Sequence, residues 1–346
     1  MVPGNGGQGH HASASLIAIA SLCLLTGCGG GDANSSADTT ATATATPSPT
    51  PTPSPTPTPS PTATTATYST ASVLCPYSGT YSGTFSKVVL TARWDWNCDD
   101  ATRTLSGNGL PDHATGEFPN SGNPNSITAQ TVNATMTLTP SLAGSDTDLG
   151  GSRTIAYALN SVKFDPATAG TCDGSATQAS DCALDGGGGT WKIEALGQSV
   201  FDFGVDSNNA HVQPTGTYHY HGMPEGMLTN DGVSDSNRKM VLVGWAADGF
   251  PVYARYCYTD AMDATSALKV CTGSYVADST PDTGRPSISW VPEGAFTSDW
   301  SYSAKSGDLD ECNGRTGVTP EFPDGIYYYM VTDSYPYFSR CVRGTL

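Results

Sequence analysis

The chain has 346 residues, with 15 Lys and Arg against 32 Asp and Glu, a formal net charge of −17. That balance, with no basic run anywhere, excludes nucleic acid as a partner, because phosphate binding needs concentrated positive charge. Ten cysteines and only six histidines make the position of each informative.

In chain order, the apolar run Ala12 to Leu25 is too short for a comfortable membrane span and leads into Leu24-Leu25-Thr26-Gly27-Cys28. That pentapeptide resembles the lipobox of bacterial lipoproteins. The resemblance implies that residues 1–27 are a signal peptide and that Cys28 carries the lipid. It further implies an exported protein, lipid-anchored to the bacterial cell envelope, with Gly29 pointing to the outer membrane. The sequence departs from the pattern in one respect: His10 and His11 stand where Lys or Arg is expected. Residues 28–68 are Gly, Ala, Thr, Ser and Pro, with proline at every second position from Pro47 to Pro61. Such a run favours polyproline II, at roughly 3.1 Å per residue, and reads as a disordered stalk.

From residue 69 onward, short segments rich in Val, Thr, Tyr, Phe and Trp alternate with Gly, Asn, Asp and Pro clusters. The expected fold is mainly β: loop-rich antiparallel sheets in a sandwich-like arrangement, stapled by disulfides, with few short helices. Asp260 to Leu268 is the best helical candidate. Two regions are expected, an N-terminal β region over 69–200 and a second region over 201–346. The eight cysteines of this part fall as four local couples, predicting disulfides Cys75–Cys98, Cys172–Cys182, Cys257–Cys271 and Cys312–Cys341. That pairing leaves no thiolate for catalysis or metal binding.

The most informative stretch is Gly216-Thr217-Tyr218-His219-Tyr220-His221-Gly222-Met223. On an extended strand His219 and His221 share one face, and Tyr218 and Tyr220 share the other. His211 lies within the same eleven residues. An internal repeat is also visible, with copies at 206–223 and 310–332. Asp206 to His211 aligns with Asp310 to Arg315, and Gly216 to His221 aligns with Gly325 to Met330. Between the copies, Gly244 to Tyr253 reads as a hairpin turning at Asp248-Gly249.

Three motifs carry a family resemblance: Tyr218-His219-Tyr220-His221, the Asp248-Gly249-Phe250-Pro251-Val252-Tyr253 hairpin, and the ending from Leu309 through Tyr335-Pro336-Tyr337 to Cys341-Val342-Arg343-Gly344. In this order they resemble the YHYH domain family of exported proteins, over roughly residues 150–346. The resemblance implies an architecture and a location but no reaction. Family members often repeat the His-bearing strand near the C-terminus. Here Tyr328 and Met330 stand in that second strand, and Arg315 stands in the place of His211.

His211, His219 and His221 read as a transition-metal site for copper or zinc, with Glu225, four residues after His221, as a fourth ligand. Tyr220 and Asp248 are expected beside it, and Asp206, Asn209, Asp310 and Asn313 in Asx turns. Arg315 is expected to donate to Glu311 or Asp310. The chain has one His-x-His segment where multicopper oxidases need several. It has no free cysteine for a blue-copper site, and no histidine after residue 221 for the second cupin motif. Neither His-Glu-x-x-His nor a Gly-x-Ser-x-Gly elbow occurs. The reading is therefore a cell-surface metal-binding lipoprotein; were it an enzyme, it would be a metal-dependent oxidase or hydrolase. The alternative is a non-catalytic module whose aromatic residues hold a surface glycan or a protein ligand.

Overall fold

The computed structural model describes residues 66–149 and 154–346. The expected signal peptide, Cys28 and the stalk up to residue 65 lie outside the described residues. No helix among the described residues is long and apolar enough to cross a membrane.

Four strands open the fold as an antiparallel meander: β1 (Tyr77–Phe85), β2 (Val88–Cys98), β3 (Thr102–Gly107) and β4 (Val132–Thr137). Period-two alternation sets its inner face. On β2 the residues Ala92, Trp94 and Trp96 are buried while Arg93, Asp95 and Asn97 are exposed. That face packs into one continuous core with the main sheet. Trp96 donates Nε1–H to the Leu159 carbonyl at 2.8 Å. Arg103 lays its guanidinium 3.6 Å from the Trp245 ring centroid and donates to the carbonyls of Val73 (2.7 Å) and Thr70 (2.8 Å). Burial pushes its pKa down to about 10.

After β5 (Leu142–Asp148) come the short hairpin β6 (Ala156–Ala158) and β7 (Lys163–Phe164), the ribbon β8 (Thr171–Cys172) with β9 (Trp191–Lys192), and β10 (Ala210–Val212) with β11 (Tyr218–Tyr220). Helix α1 (Glu225–Asn230) precedes the hairpin β12 (Val241–Ala246) and β13 (Pro251–Ala254). Two further ribbons follow, β14 (Tyr256–Tyr258) with β15 (Leu268–Val270), and β16 (Tyr275–Ala277) with β17 (Trp300–Tyr302). The chain ends with β18 (Gly314–Gly317), β19 (Ile326–Val331) and β20 (Cys341–Gly344), the last pairing back onto β5.

Eight of these strands make one sheet in the order β10-β11-β7-β6-β12-β13-β19-β18. The order is palindromic in structural terms. β6 and β12 pair antiparallel at the centre, through Ala158↔Gly244, Tyr157↔Trp245 and Ala156↔Ala246. Each half then runs outward through a hairpin partner (β7 or β13) to a parallel strand (β11 or β19) and its antiparallel edge (β10 or β18). The two parallel pairs depart from the antiparallel expectation. They arise because long crossovers, 165–209 and 255–313, bring the chain back in the same direction.

The hairpin 244–253 lies between copies 206–223 and 310–332 in sequence, and in the sheet it extends the second one, since β13 pairs with β19. The first has its own hairpin, 88 residues earlier. There Asn160 corresponds to Asp248 and Ser161 (φ 74°) to Gly249 (φ 87°), with matching Ala158 N–H to Val162 O and Ala246 N–H to Phe250 O bonds. The expected boundary at residue 200 cuts through this sheet, since β6 and β7 belong with β10 and β11.

All four expected disulfides are present. The two crossovers share a second core, with Trp191, Ile193, Phe201 and Phe203 from one against Val291, Ala295 and Phe296 from the other. Residues 260–266 form turns rather than the expected helix. Asp260 and Asp263 side chains accept nearby backbone N–H groups, the local competition that disfavours helix.

Asp248 is fully buried. It accepts from Tyr329 Oη (2.5 Å), Gly344 N–H (2.9 Å) and Phe250 N–H (3.2 Å). Removing it orphans a phenol and two amides in the core. Asp248→Ala is therefore expected to lose about 2–4 kcal/mol of stability in urea titrations, whereas a loss within about 0.5 kcal/mol would contradict this role.

Candidate metal centre

The site begins with a turn. Asp206 accepts the Asn208 N–H on Oδ1 (2.8 Å), its backbone carbonyl accepts the Asn209 N–H (3.1 Å), and its own N–H reaches the Ala210 carbonyl (2.8 Å). Asn209 adopts φ 53°, a left-handed conformation that asparagine tolerates, and the chain then enters β10. The other carboxylate oxygen accepts the Tyr218 hydroxyl (2.8 Å) and the Gly116 N–H (2.9 Å). Gly216 (φ 85°) turns the chain into β11, giving the register Ala210↔Tyr220, His211↔His219 and Val212↔Tyr218.

The second copy builds the same frame. Asp310 accepts the Cys312 N–H and the Tyr327 hydroxyl, Asn313 sits at φ 54°, and Arg315 pairs with Tyr328. Frame residues agree between copies, while residues on the histidine face differ.

Alternation along β11 sends Tyr218 and Tyr220 into the core and His219 and His221 to the opposite face, beside His211. The three rings have centroids 4.6–4.7 Å apart. One ligand atom from each lies within 4.8 Å of the other two. An ion with bonds near 2.0–2.1 Å draws its ligand nitrogens to about 3.3 Å in a tetrahedral arrangement, so small ring shifts suffice. His211 Nδ1 faces the Phe203 carbonyl (2.8 Å) and His219 Nδ1 faces the Thr217 carbonyl (3.3 Å), so both Nδ1 carry protons and both Nε2 bear lone pairs. His221 Nε2 lies 3.0 Å from His211 Nε2, which is an acceptor, so His221 donates there. That tautomer strands His221 Nδ1, which is buried without a hydrogen-bond partner although the Pro166 carbonyl is nearby.

Burial is the main cause that lowers the pKa of all three histidines, most strongly for His219 and His221, where repulsion from the neighbouring rings adds to it; at His211 the Phe203 carbonyl, Asp165 and Asp206 oppose it. Each of these shifts favours the neutral ring. Two other groupings, Asp146 with Cys312 and Cys341, and Asp308 with Cys257 and Cys271, have their sulfurs in disulfides and offer no thiolate.

The structure brings His211, His219 and His221 together but leaves out the other expected neighbours. Glu225 opens α1, and its carboxylate is held by Arg255, which also binds Asp333. Tyr220 points to the opposite face, with its hydroxyl 2.7 Å from His113 Nε2 and 3.0 Å from Asn160 Nδ2. Asp248 belongs to the second copy and serves Tyr329 there. Arg315 donates to the Tyr328 hydroxyl and the Tyr258 carbonyl at 2.6 Å each, rather than to a carboxylate.

Sequence reasoning missed Lys163, Asp165 and Gln213, which border the cluster on the histidine face. Lys163 pairs with His219 in register, and Asp165 Oδ2 accepts from Lys163 Nζ (2.7 Å) and Gln213 Nε2 (3.1 Å). The signal for them was the 88-residue offset between hairpins, hidden because the first turns at Asn-Ser rather than Asp-Gly.

Residues 133–344, more than half of the chain, match the family described as YHYH protein. The match runs from β4 to β20 and so spans both copies. No curated protein and no solved structure matches the chain.

Imidazoles with folded-state pKa values below the unfolded value take up protons only on unfolding, so their stabilising share is present above about pH 6.5 and lost as pH falls. Chelator-treated protein should therefore show a declining urea midpoint between about pH 7 and pH 5. His219→Gln/His221→Gln should flatten that decline, and an unchanged slope in the double variant would contradict the assignment.

Proposed function

Because the chain belongs to the YHYH protein family, and its His cluster sits on the Tyr-His-Tyr-His strand itself, we propose that it is an exported module that binds copper or zinc through His211, His219 and His221. The observation that carries this reading is the convergence of three imidazoles, two of them already held at Nδ1 by backbone carbonyls, which leaves Nε2 with its lone pair. Metal-binding histidines use that second hydrogen bond to fix ring orientation and raise basicity.

His221 adds a further argument. With an ion held at Nε2, His221 would carry its proton on Nδ1, beside the Pro166 carbonyl, and the stranded buried atom would gain a partner. When bound, the ion would supply a Lewis-acidic centre with a position left open by three protein ligands. The protein's own part is to hold the three nitrogens, exclude bulk water from His219 and His221, and keep the tyrosines out of the coordination sphere.

The second copy acts as an internal comparison. It keeps Asp310, Asn313, Tyr327 and Tyr329, which match Asp206, Asn209, Tyr218 and Tyr220. It replaces every histidine of the cluster, with Arg315, Tyr328 and Met330. A need for fold alone does not require the first copy's three imidazoles. Four disulfides suit an oxidising, extracellular compartment. The same proposal places the module on a lipid tether at Cys28 and a Pro/Thr stalk, at the outer membrane.

A glycan-binding role is the second reading. It draws on the exposed aromatic ring of Tyr302.

Protein purified without chelator is expected to contain about one copper or zinc ion per chain by elemental analysis. His219→Ala/His221→Ala should lose it while keeping its circular dichroism spectrum. At free metal near a thousand times Kd, wild type should gain about 4 kcal/mol of stability and the variant none. Metal-free wild type that retains polysaccharide would favour the glycan reading instead.

A further inference from the structure

The cluster lacks an anion, and a carboxylate stands at its edge. Three neutral imidazoles cannot balance a divalent ion, and His219 and His221 each expose only 1% of their surface. A charge left uncompensated there is costly. His211, His219 and Lys163 form one row across three adjacent strands, since His211 pairs with His219 and His219 with Lys163. Two residues on from that row, and on the same face by alternation, Gln213 on antiparallel β10 comes level with Thr217 and Asp165 on parallel β7 comes level with His221. β10 and β7 are the two neighbours of β11. The Gln213–Asp165 hydrogen bond (3.1 Å) therefore runs diagonally across β11 on the side that carries the histidines, from the Thr217 level to the His221 level, and Lys163 ties down its acidic end (2.7 Å).

We infer that Asp165 is the outer-sphere carboxylate of this metal centre, and that its bridge to Gln213 is the gate through which the ion enters and leaves. The inference rests on the metal-binding reading of the same histidines. In the metal-free protein Lys163 holds the Asp165 charge. With a divalent ion bound, Asp165 would supply the compensating negative charge, and the partly exposed Lys163 ammonium would be released to solvent. Asp206, the other carboxylate close to the cluster, is committed to Tyr218 and the Gly116 amide. The second copy again supplies the contrast. Pro251, Tyr253 and Gly317 occupy the positions of Lys163, Asp165 and Gln213, so bridge and histidines are absent together. Tyr253 there donates to Glu321 and accepts from the Thr319 hydroxyl instead.

The test compares Zn²⁺ and Cu⁺ binding by chelator competition, the latter under reductant, in wild type, Asp165→Asn, Asp165→Glu and Gln213→Ala. Circular dichroism confirms the fold of each. Loss of an outer-shell carboxylate is expected to weaken Zn²⁺ about 10–100-fold. Coulomb energy scales with ion charge, so Cu⁺ should weaken only by about the square root of that factor, roughly 3–10-fold. Asp165→Glu should recover part of the Zn²⁺ affinity. Gln213→Ala should speed release of bound Zn²⁺ to excess chelator at least about fivefold. Wild type that takes up neither ion overturns both this inference and the reading beneath it. Wild-type uptake with Asp165→Asn unchanged, or with both ions weakened equally, overturns the carboxylate's role alone. An unchanged release rate in Gln213→Ala overturns the gate.

Discussion

The register of β10 against β11 is the constraint on which the rest of the site depends. Side chains on a strand alternate with period two, so a slip of one residue would turn Tyr218 and Tyr220 outward and push the histidines into the hydrophobic core. The Asp206 carboxylate prevents that slip. It closes the turn before β10 and holds the hydroxyl of Tyr218 on β11, so turn and strand are fixed by one group. The energetic stakes are high on both faces. Tyr218 and Tyr220 are fully buried and need their hydroxyls paired, while the opposite face must keep three nitrogen lone pairs convergent.

The pseudo-twofold sheet explains how one frame can carry two different outcomes. Each half has a polar turn residue reaching the second tyrosine of the outer parallel strand, Asn160 to Tyr220 and Asp248 to Tyr329. Each half also has an Asp turn reaching the first tyrosine. These contacts lie on the core face and set backbone geometry. On the other face the halves diverge. The first places imidazoles, a lysine and an aspartate; the second places an arginine bonded to a tyrosine, with a methionine beside them. The Arg315 guanidinium donates to the Tyr328 hydroxyl and the Tyr258 carbonyl, so the second half closes on itself.

Much of this was readable from residue order, for definite reasons. Local cysteine couples bring four disulfides because short loops close cheaply. Alternation along Tyr218-His219-Tyr220-His221 separates the two faces without any tertiary information. His211 joins the pair because the Asp206–Asn209 turn and Gly216 set the spacing between two adjacent strands.

What residue order hid was mostly what depends on distant pairing. Glu225 sits at a plausible ligand spacing, yet Arg255 lies thirty residues on and captures its carboxylate. Asp248 resembles its first-half counterpart only when the Asn160 hairpin is recognised, and that hairpin lacks a glycine signal. Asp165 and Gln213 are 48 residues apart and meet only because β7 inserts beside β11. Tyr220 was excluded from the site by the same alternation that defines the histidine pair.

The most direct measurement is anomalous diffraction from crystals of the protein grown with one equivalent of Zn²⁺. The account predicts a single strong peak about 2.0–2.1 Å from one nitrogen each of His211, His219 and His221. A peak at other residues, or none with the three rings placed as described, would contradict it.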